Sequence, residues 1–432
     1  MRIKRIEFLF IIFIFIIVSN LNFSNCSLIH NKGIHERIII DKPKASDYLE
    51  LNPFIIRDGG IGPKDYTWAE AVMEPWCSGG GTENNPYIIS NIIINGQTQE
   101  LCCINIASST VFFQIKDCIF YNSRHVGYGG IKLTHVLNGE ILNNKCFSNT
   151  VGIRIEDSDN INITNNNISD NEYGLMMFST SQVNIISNNA SNNYDGSGIS
   201  VNSGNSYTIS SNIVNNNHYG VSVSSSNNIL MENNYAKGNY YGVGIYSTFN
   251  SVVLHNTILN SYTGIDFMNS DNNFISVCDI QNNSYGGGLH MYESFNNNFT
   301  FNKFSYNNPA IQLSSCDSNT FEQNTLISNE NAAIALLQSS YNLFIRNTLR
   351  DHSTGISLTY QSNNNTFLKN NLFNNRVCIR LDTSCVGNVF IDNVCGYEMP
   401  TIPGFQLLFF VTFFSVLSMI FVIQKRIQKA NQ

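Results

Sequence analysis

Charge is what this chain has least of. Only 13% of its 432 residues are Asp, Glu, Lys or Arg, and the 24 cations are spread thinly. No basic stripe interleaved with aromatics is available to neutralise a run of phosphates, which excludes nucleic acid as a partner. Proline is scarce too: none lies between Pro86 and Pro309, so nothing there interrupts a sheet ladder. Eleven cysteines occur without a single C-x-x-C pair, which removes the common zinc and dithiol motifs. Strand-to-helix nucleophile elbows of the Ser hydrolase kind are missing as well.

Long apolar runs occur only at the two ends. Residues 1–27 begin with Arg2, Lys4 and Arg5 and continue into an apolar stretch too short to span a bilayer, the pattern of an export signal. Residues 405–423 are long enough to cross about 30 Å of hydrocarbon as a helix. Lys425, Arg426 and Lys429 follow, which favours a cytoplasmic tail over 424–432. The expected organisation is an exported single-pass membrane protein with an extracellular ectodomain. Residues 28–86 form an N-terminal cap region, 87–397 a repeat domain and 398–404 a linker. In an oxidising compartment, disulfides at the ends of the array are expected from Cys77, Cys102, Cys103, Cys118 and Cys146, and from Cys378, Cys385 and Cys395, with the pairing left open.

What is abundant is repeated. A Gly-apolar-x-apolar start recurs at Gly130, Gly152, Gly174, Gly198, Gly220, Gly242, Gly264 and Gly288 and continues through Ala310, Ala333, Gly355 and Cys378, at intervals of 22 to 24 residues. Alternating apolar residues describe a strand with one buried face, and a second apolar position eleven residues later marks at least one more strand per repeat. A self-similar period of this length means a solenoid. Asparagine makes up roughly one residue in six, far above ordinary usage. It returns fourteen residues after the start at Asn144, Asn166, Asn188, Asn212, Asn234, Asn256, Asn302, Asn324 and Asn347, with Cys278 as the exception. Such a column predicts a ladder of side-chain amides at a turn, with the ladder Asn itself in the left-handed region. Thr67-Trp68-Ala69-Glu70 predicts a capping box opening a short helix ahead of the repeats.

These repeats resemble the right-handed parallel β-helix repeats of the pectin-lyase-like fold, most closely the NosD-like group and related archaeal surface proteins. The resemblance implies an all-β solenoid of about thirteen coils, and a role in copper delivery as one function. Pro403-Gly404-Phe405 before the terminal apolar run resembles archaeal C-terminal sorting signals.

Residues two and four after each start face outward and form columns. Most are small and neutral. The columns change at Tyr246, Asp266, His290 and Tyr292. Asp266 and His290 share a column on adjacent coils, within reach of a carboxylate–imidazole hydrogen bond, and two tyrosines beside them suit a sugar ring. These four are the candidate binding residues, and Asp266 and His290 the candidate catalytic ones. Glu156, Asp157 and Asp159, near Arg154, are the candidates for Ca²⁺. Copper would need soft ligands gathered together, and Met176, Met177, Met268 and Met291 are scattered. No required cofactor is expected. The favoured reading is a non-catalytic surface module for adhesion or glycan binding. A carbohydrate-active enzyme (lyase, hydrolase or epimerase) and a NosD-like copper protein are the alternatives.

Overall fold

A computed structural model of the chain describes residues 48–58, 65–96, 101–125 and 127–396. The apolar ends at 1–27 and 405–423, with the linker and tail beside the latter, lie outside them. Among the described residues no helix is long and apolar enough to cross a membrane.

Most coils contribute three strands, one beyond the minimum of two that the apolar pattern marks; in the coils that open at Gly152, Gly174 and Gly198 the third wall is held by single bridges at Asn167, Asn189 and Ile213. In one three-stranded coil the strands are Tyr241–Tyr246, Val252–Leu254 and Thr257–Leu259. Each pairs in parallel with its counterpart in the next coil, Thr263–Met268, Phe274–Ser276 and Asp279–Gln281. The chain thus winds into a stack with three parallel sheets as its walls. Alternation decides what lies inside: Ile265 and Phe267 are fully buried while Met268, next in the same strand, points outward. Toward the C-terminal coils the core becomes a column of rings, Phe299, Phe321, Phe344, Phe367 and Phe390, with centroids 4.7 to 4.9 Å apart. That separation is the strand spacing of a sheet, so successive coils place identical side chains in register.

Strands upstream of Tyr87 also join these sheets: Leu49–Leu51 pairs with Ile92–Asn95, and Phe54–Arg57 with Ile104–Ser109. Thr67 opens the helix Trp68–Ala71 with the reciprocal capping box, its side chain accepting from the Glu70 amide. The buried Trp68 ring stacks on Tyr87 at 4.8 Å and donates its indole N–H to Ser109.

The asparagine column is a buried ladder. The Oδ1 of Asn234 accepts from both the backbone N–H and the side-chain amide of Asn212, each at 3.0 Å. The Asn234 amide in turn donates to Asn256 at 2.9 Å and to the Ile209 carbonyl at 2.8 Å. Every amide in the column satisfies a backbone group that the turn would otherwise strand in the core. One expectation is corrected. The residue in the left-handed region is the one before the ladder position, such as Asn143, Asn165 or Val277. The ladder amide sits at a fixed place because its neighbour makes the corner. At Cys278 the backbone N–H still donates to Asn302, and the thiol points at the Val253 and Ser276 carbonyls in place of an amide.

Two further buried ladders take up more of the asparagine, and exposed pairs such as Asn162 with Asn184 take up some of the rest. One runs through Asn149, Asn171, Asn193, Asn217 and Asn239 and resumes at Asn283, Asn307 and Asn329. The other links Asn273, Asn297, Asn319, Asn342 and Asn365. His352 replaces asparagine in the first of these. Its Nδ1 accepts from the Asn329 N–H at 3.1 Å, and its Nε2 lies 3.0 Å from the Leu326 carbonyl, to which it donates as the neutral tautomer. Burial lowers its pKa from 6.5, against smaller opposing contributions from the Asn329 and Leu326 hydrogen bonds. The unfolded ring titrates near 6.5, so the neutral ring's contribution is complete above that pH and is lost as pH falls through the lower folded value. His352→Asn restores the ladder amide and removes this loss. In melts between about pH 7.5 and 4.5, the parent's Tm is expected to fall more steeply than the variant's.

At the last coil Cys378 and Cys395 form a disulfide joining strands of the first and third sheets, with Cα atoms 6.1 Å apart. The cysteines near the other end are free and buried instead. Burial pushes the Cys103 and Cys118 thiols up to about 12, so they behave as core side chains rather than nucleophiles.

Candidate functional site

The register of the first sheet aligns Gly244, Asp266, His290 and Gln312 in one outward column and Tyr246, Met268, Tyr292 and Ser314 in the next. Asp266 Oδ1 lies 2.9 Å from His290 Nδ1. Because an ionised carboxylate only accepts, Nδ1 carries the proton and the neutral ring keeps its lone pair on Nε2. Tyr246 reaches diagonally across the columns and donates its hydroxyl to Asp266 Oδ2 at 2.8 Å.

Gly244 makes that reach possible. A Cβ there would lie 2.6 Å from Cε2 of the Tyr246 ring and 2.8 Å from its hydroxyl, so the phenol occupies the space a side chain would fill. Asp266 is 8% exposed and spends both oxygens on these donors. His290 keeps 32% of its side chain exposed, so the imidazole edge is what the site presents to a ligand. Burial, followed by the Asp266 charge and the hydrogen bond to it, drives the Tyr246 pKa far above the phenol range. Tyr246 is therefore a fixed donor and not a base.

Of the four residues singled out in the sequence, three form this network. Tyr292 stands apart: it is 38% exposed and hydrogen-bonds Glu293, which raises its pKa. What sequence reasoning missed is the aromatic ladder alongside. Tyr219 stacks on Tyr241 at 4.7 Å, and Tyr240 stacks on Tyr262 at 4.6 Å, which stacks on Tyr285 at 5.4 Å. Tyr219 meets Tyr246 edge-on at 6.1 Å, joining the ladder to the network. The signal was there, since these tyrosines fall one to three residues before the repeat starts. Stacked rings spend most of their faces on one another. What they offer outward is a row of edges and hydroxyls, plus the outer face of the 76%-exposed Tyr285.

The Ca²⁺ candidates diverge instead of converging. Glu156 lies 3.0 Å from Lys132 and 2.6 Å from Arg154 Nε. Burial works to raise its pKa, and these two partners override it and hold it below the ordinary value. Asp157 lies 3.6 Å from His135, and Asp159 accepts from the Ser181 amide. Each carboxylate is committed to a different protein partner. The soft donors do not gather either: Met177 and Met291 are fully buried, whereas Met268 faces outward. Among the described residues no group of three or more His, Cys, Asp or Glu is placed to hold a metal ion. The donor set among the described residues therefore does not fit copper.

Residues 197–349 and 255–395 match the family model of the right handed beta helix region, and residues 80–250 match that of the periplasmic copper-binding protein (NosD). None of the curated proteins compared with the chain matches it. Among solved structures, the A-module of the mannuronan C-5 epimerase AlgE6 of Azotobacter vinelandii is similar at 13% identity, covering 73% of this chain and 89% of that one with a TM-score of 0.47. The Streptococcus pneumoniae surface protein and adhesin PfbA is similar at 13% identity over 68% and 91%, with a TM-score of 0.40. The Dettilon tailspike protein is similar at 12% identity over 69% and 62%, with a TM-score of 0.41.

Proposed function

We propose that this NosD-like right-handed parallel β-helix is a surface protein that binds carbohydrate on the first-sheet face around Asp266 without transforming it. The observation that carries the reading is the Tyr246–Asp266–His290 network beside the tyrosine ladder. A carboxylate fixes an imidazole edge, and tyrosine hydroxyls continue the same face along the coil axis. Fixed polar groups next to aromatic and thioether surface are what a hydroxyl-rich, partly apolar ligand needs.

Binding is favoured over catalysis by the state of each group. Glycoside chemistry of the usual kind takes two carboxyl groups in different roles. The network holds one, both of whose oxygens are committed, and its tyrosine is locked as a donor. A carboxylate-oriented imidazole is nonetheless the arrangement of a general base, which gives the enzyme reading one specific support. Localisation belongs to the proposal as well. The NosD domain is periplasmic by description and the terminal disulfide suits an oxidising compartment, so the coils are assigned to the outside and the 405–423 segment to the anchor.

Titration of the purified full chain with a glycan panel tests this, with the Asp266→Ala and His290→Ala variants beside it. Binding is expected to weaken at least tenfold in either variant while the recovered glycan keeps its length and composition. Parent-like binding by both variants would refute the site. A glycan altered by the parent and not by His290→Ala would establish the enzyme reading instead.

A further inference from the structure

The charges of this face restrict which glycan it takes. Resting on the carbohydrate reading above, we infer that the ligand is an uncharged sugar chain, of hexose or N-acetylhexosamine units, and not a polyuronate. The column that holds Asp266 and His290 contains no Lys or Arg from Ser200 to Ser357, and its neighbour contains none from Asn202 to Thr359.

The first cation in one direction is Arg154, five coils from Asp266 or about 24 Å at the strand spacing. It is bound to Glu156. In the other direction the column reaches Arg380 five coils away. Both distances are well beyond the Debye length of about 8 Å at physiological salt, so neither arginine acts at the site. Lys237 and Lys303 both belong to the third sheet and not to this face, and Lys303 pairs with Asp279 at 3.5 Å. Arg346 lies beyond the second-sheet strand Leu343–Ile345 and pairs with Glu322 at 3.5 Å.

The face itself is acidic where it is charged. Asp266 is the central group, and Glu293 follows Tyr292. His290 does not reverse this, because its Nδ1 proton is already shared with Asp266 and protonation of Nε2 yields only a neutral ion pair. With Asp266 as a carboxylate the pair is thus negative or neutral overall. Uronate carboxylates would approach with repulsion and find no cation in these two columns among the described residues, whereas polysaccharide-acid sites rely on Arg or Lys for that pairing. Sugar hydroxyls, by contrast, find an acceptor in Nε2 and both functions in the tyrosine hydroxyls. Met268 and the ring edges cover the apolar C–H surface of the sugar.

The test titrates the full chain with uncharged oligohexose, N-acetylhexosamine oligomers and oligouronate of matched length, at low and high salt. Melting curves confirm that each variant is folded. The parent is expected to bind one of the uncharged series at least tenfold more tightly than oligouronate. Gln312→Lys, placed beside His290 in the column, is expected to raise oligouronate affinity several-fold at low salt and to lose that gain at high salt. Oligouronate that binds the parent as tightly, and is lost with His290→Ala, would overturn the charge inference while leaving the glycan site standing. Failure of all three series, or binding indifferent to His290→Ala, would remove the site and this inference with it.

Discussion

Asn234→Ala is expected to lower the stability of the solenoid by about 4 kcal/mol, a very large effect for trimming one polar side chain. Asn234 is 3% exposed and sits mid-ladder. Its removal strands the Asn212 N–H, one Asn212 amide hydrogen and the Ile209 carbonyl in the core, while the Asn256 Oδ1 keeps the Asn234 backbone N–H as a donor. A buried polar group left without a partner costs about 1–3 kcal/mol, and water entering the small void recovers part of the sum. A solenoid is stabilised by each coil against its neighbours, so the break also weakens coupling between the two halves. Asn184→Ala is the control: its amide bonds Asn162 on the outer face of the second sheet, where water substitutes, and the expected loss is below about 1 kcal/mol. Urea melts of both variants check the contrast. Equal, small losses would mean that the ladders do not hold the coils together.

Gly244→Ala is expected to reduce glycan affinity about tenfold or more while lowering the melting midpoint by only a few degrees. The new Cβ would stand where the Tyr246 ring lies, 2.6 Å from one of its carbons. The ring is a flexible side chain and swings out, so the backbone is spared, and alanine removes some of the conformational entropy glycine carries in the unfolded chain. What is lost is the phenol donor to Asp266. A hydrogen bond to a charged group contributes about 1.5–3 kcal/mol, roughly ten- to a hundredfold in affinity if it all appears in the orientation of His290. Gly244 and Tyr246 are positioning residues, so their effects should not add. Tyr246→Phe is expected to match Gly244→Ala, and the double variant to match either alone. Additive losses would show that Gly244 acts by another route.

The fold was legible because a solenoid writes its geometry as a period. Inward positions such as Ile265 and Ile153 recur at a fixed offset, and the Asp266–His290 contact followed from counting one coil. Other features were hidden for physical reasons. Two of the three buried asparagine ladders recur at equally fixed offsets, as at Asn149, Asn171 and Asn193 or Asn273, Asn297 and Asn319, and were obscured because outward asparagines crowd the same turns. The corner conformation was misplaced by one residue, because an amide that satisfies a turn resembles, in sequence, a residue that makes one. Tyr246 joined Asp266 diagonally rather than within its column. That depended on Gly244, whose missing side chain reads as nothing until the ring is seen lying over it. The acids at Glu156, Asp157 and Asp159 are near in sequence, yet strand alternation and the turn at Asp157 send them to Lys132, His135 and Ser181. Ligand pattern along a chain is no guide when successive residues face opposite ways.

The most direct test of the central claim is hydroxyl-radical footprinting of the full chain with and without a saturating bound oligosaccharide. Tyrosine, histidine and methionine are among the groups it labels readily, and the site is built from them. Labelling of His290, Met268, Tyr262 and Tyr285 is expected to fall when glycan is bound, while Tyr194, Tyr341 and Tyr360, which are 63% to 70% exposed and lie about three or four coils from Asp266 at the repeat period, keep theirs. The contradicting result would be unchanged labelling across Tyr240 to Tyr292. Protection appearing instead at the groove of about 280 Å³ lined by Glu83, Phe112 and Glu140 would contradict it equally.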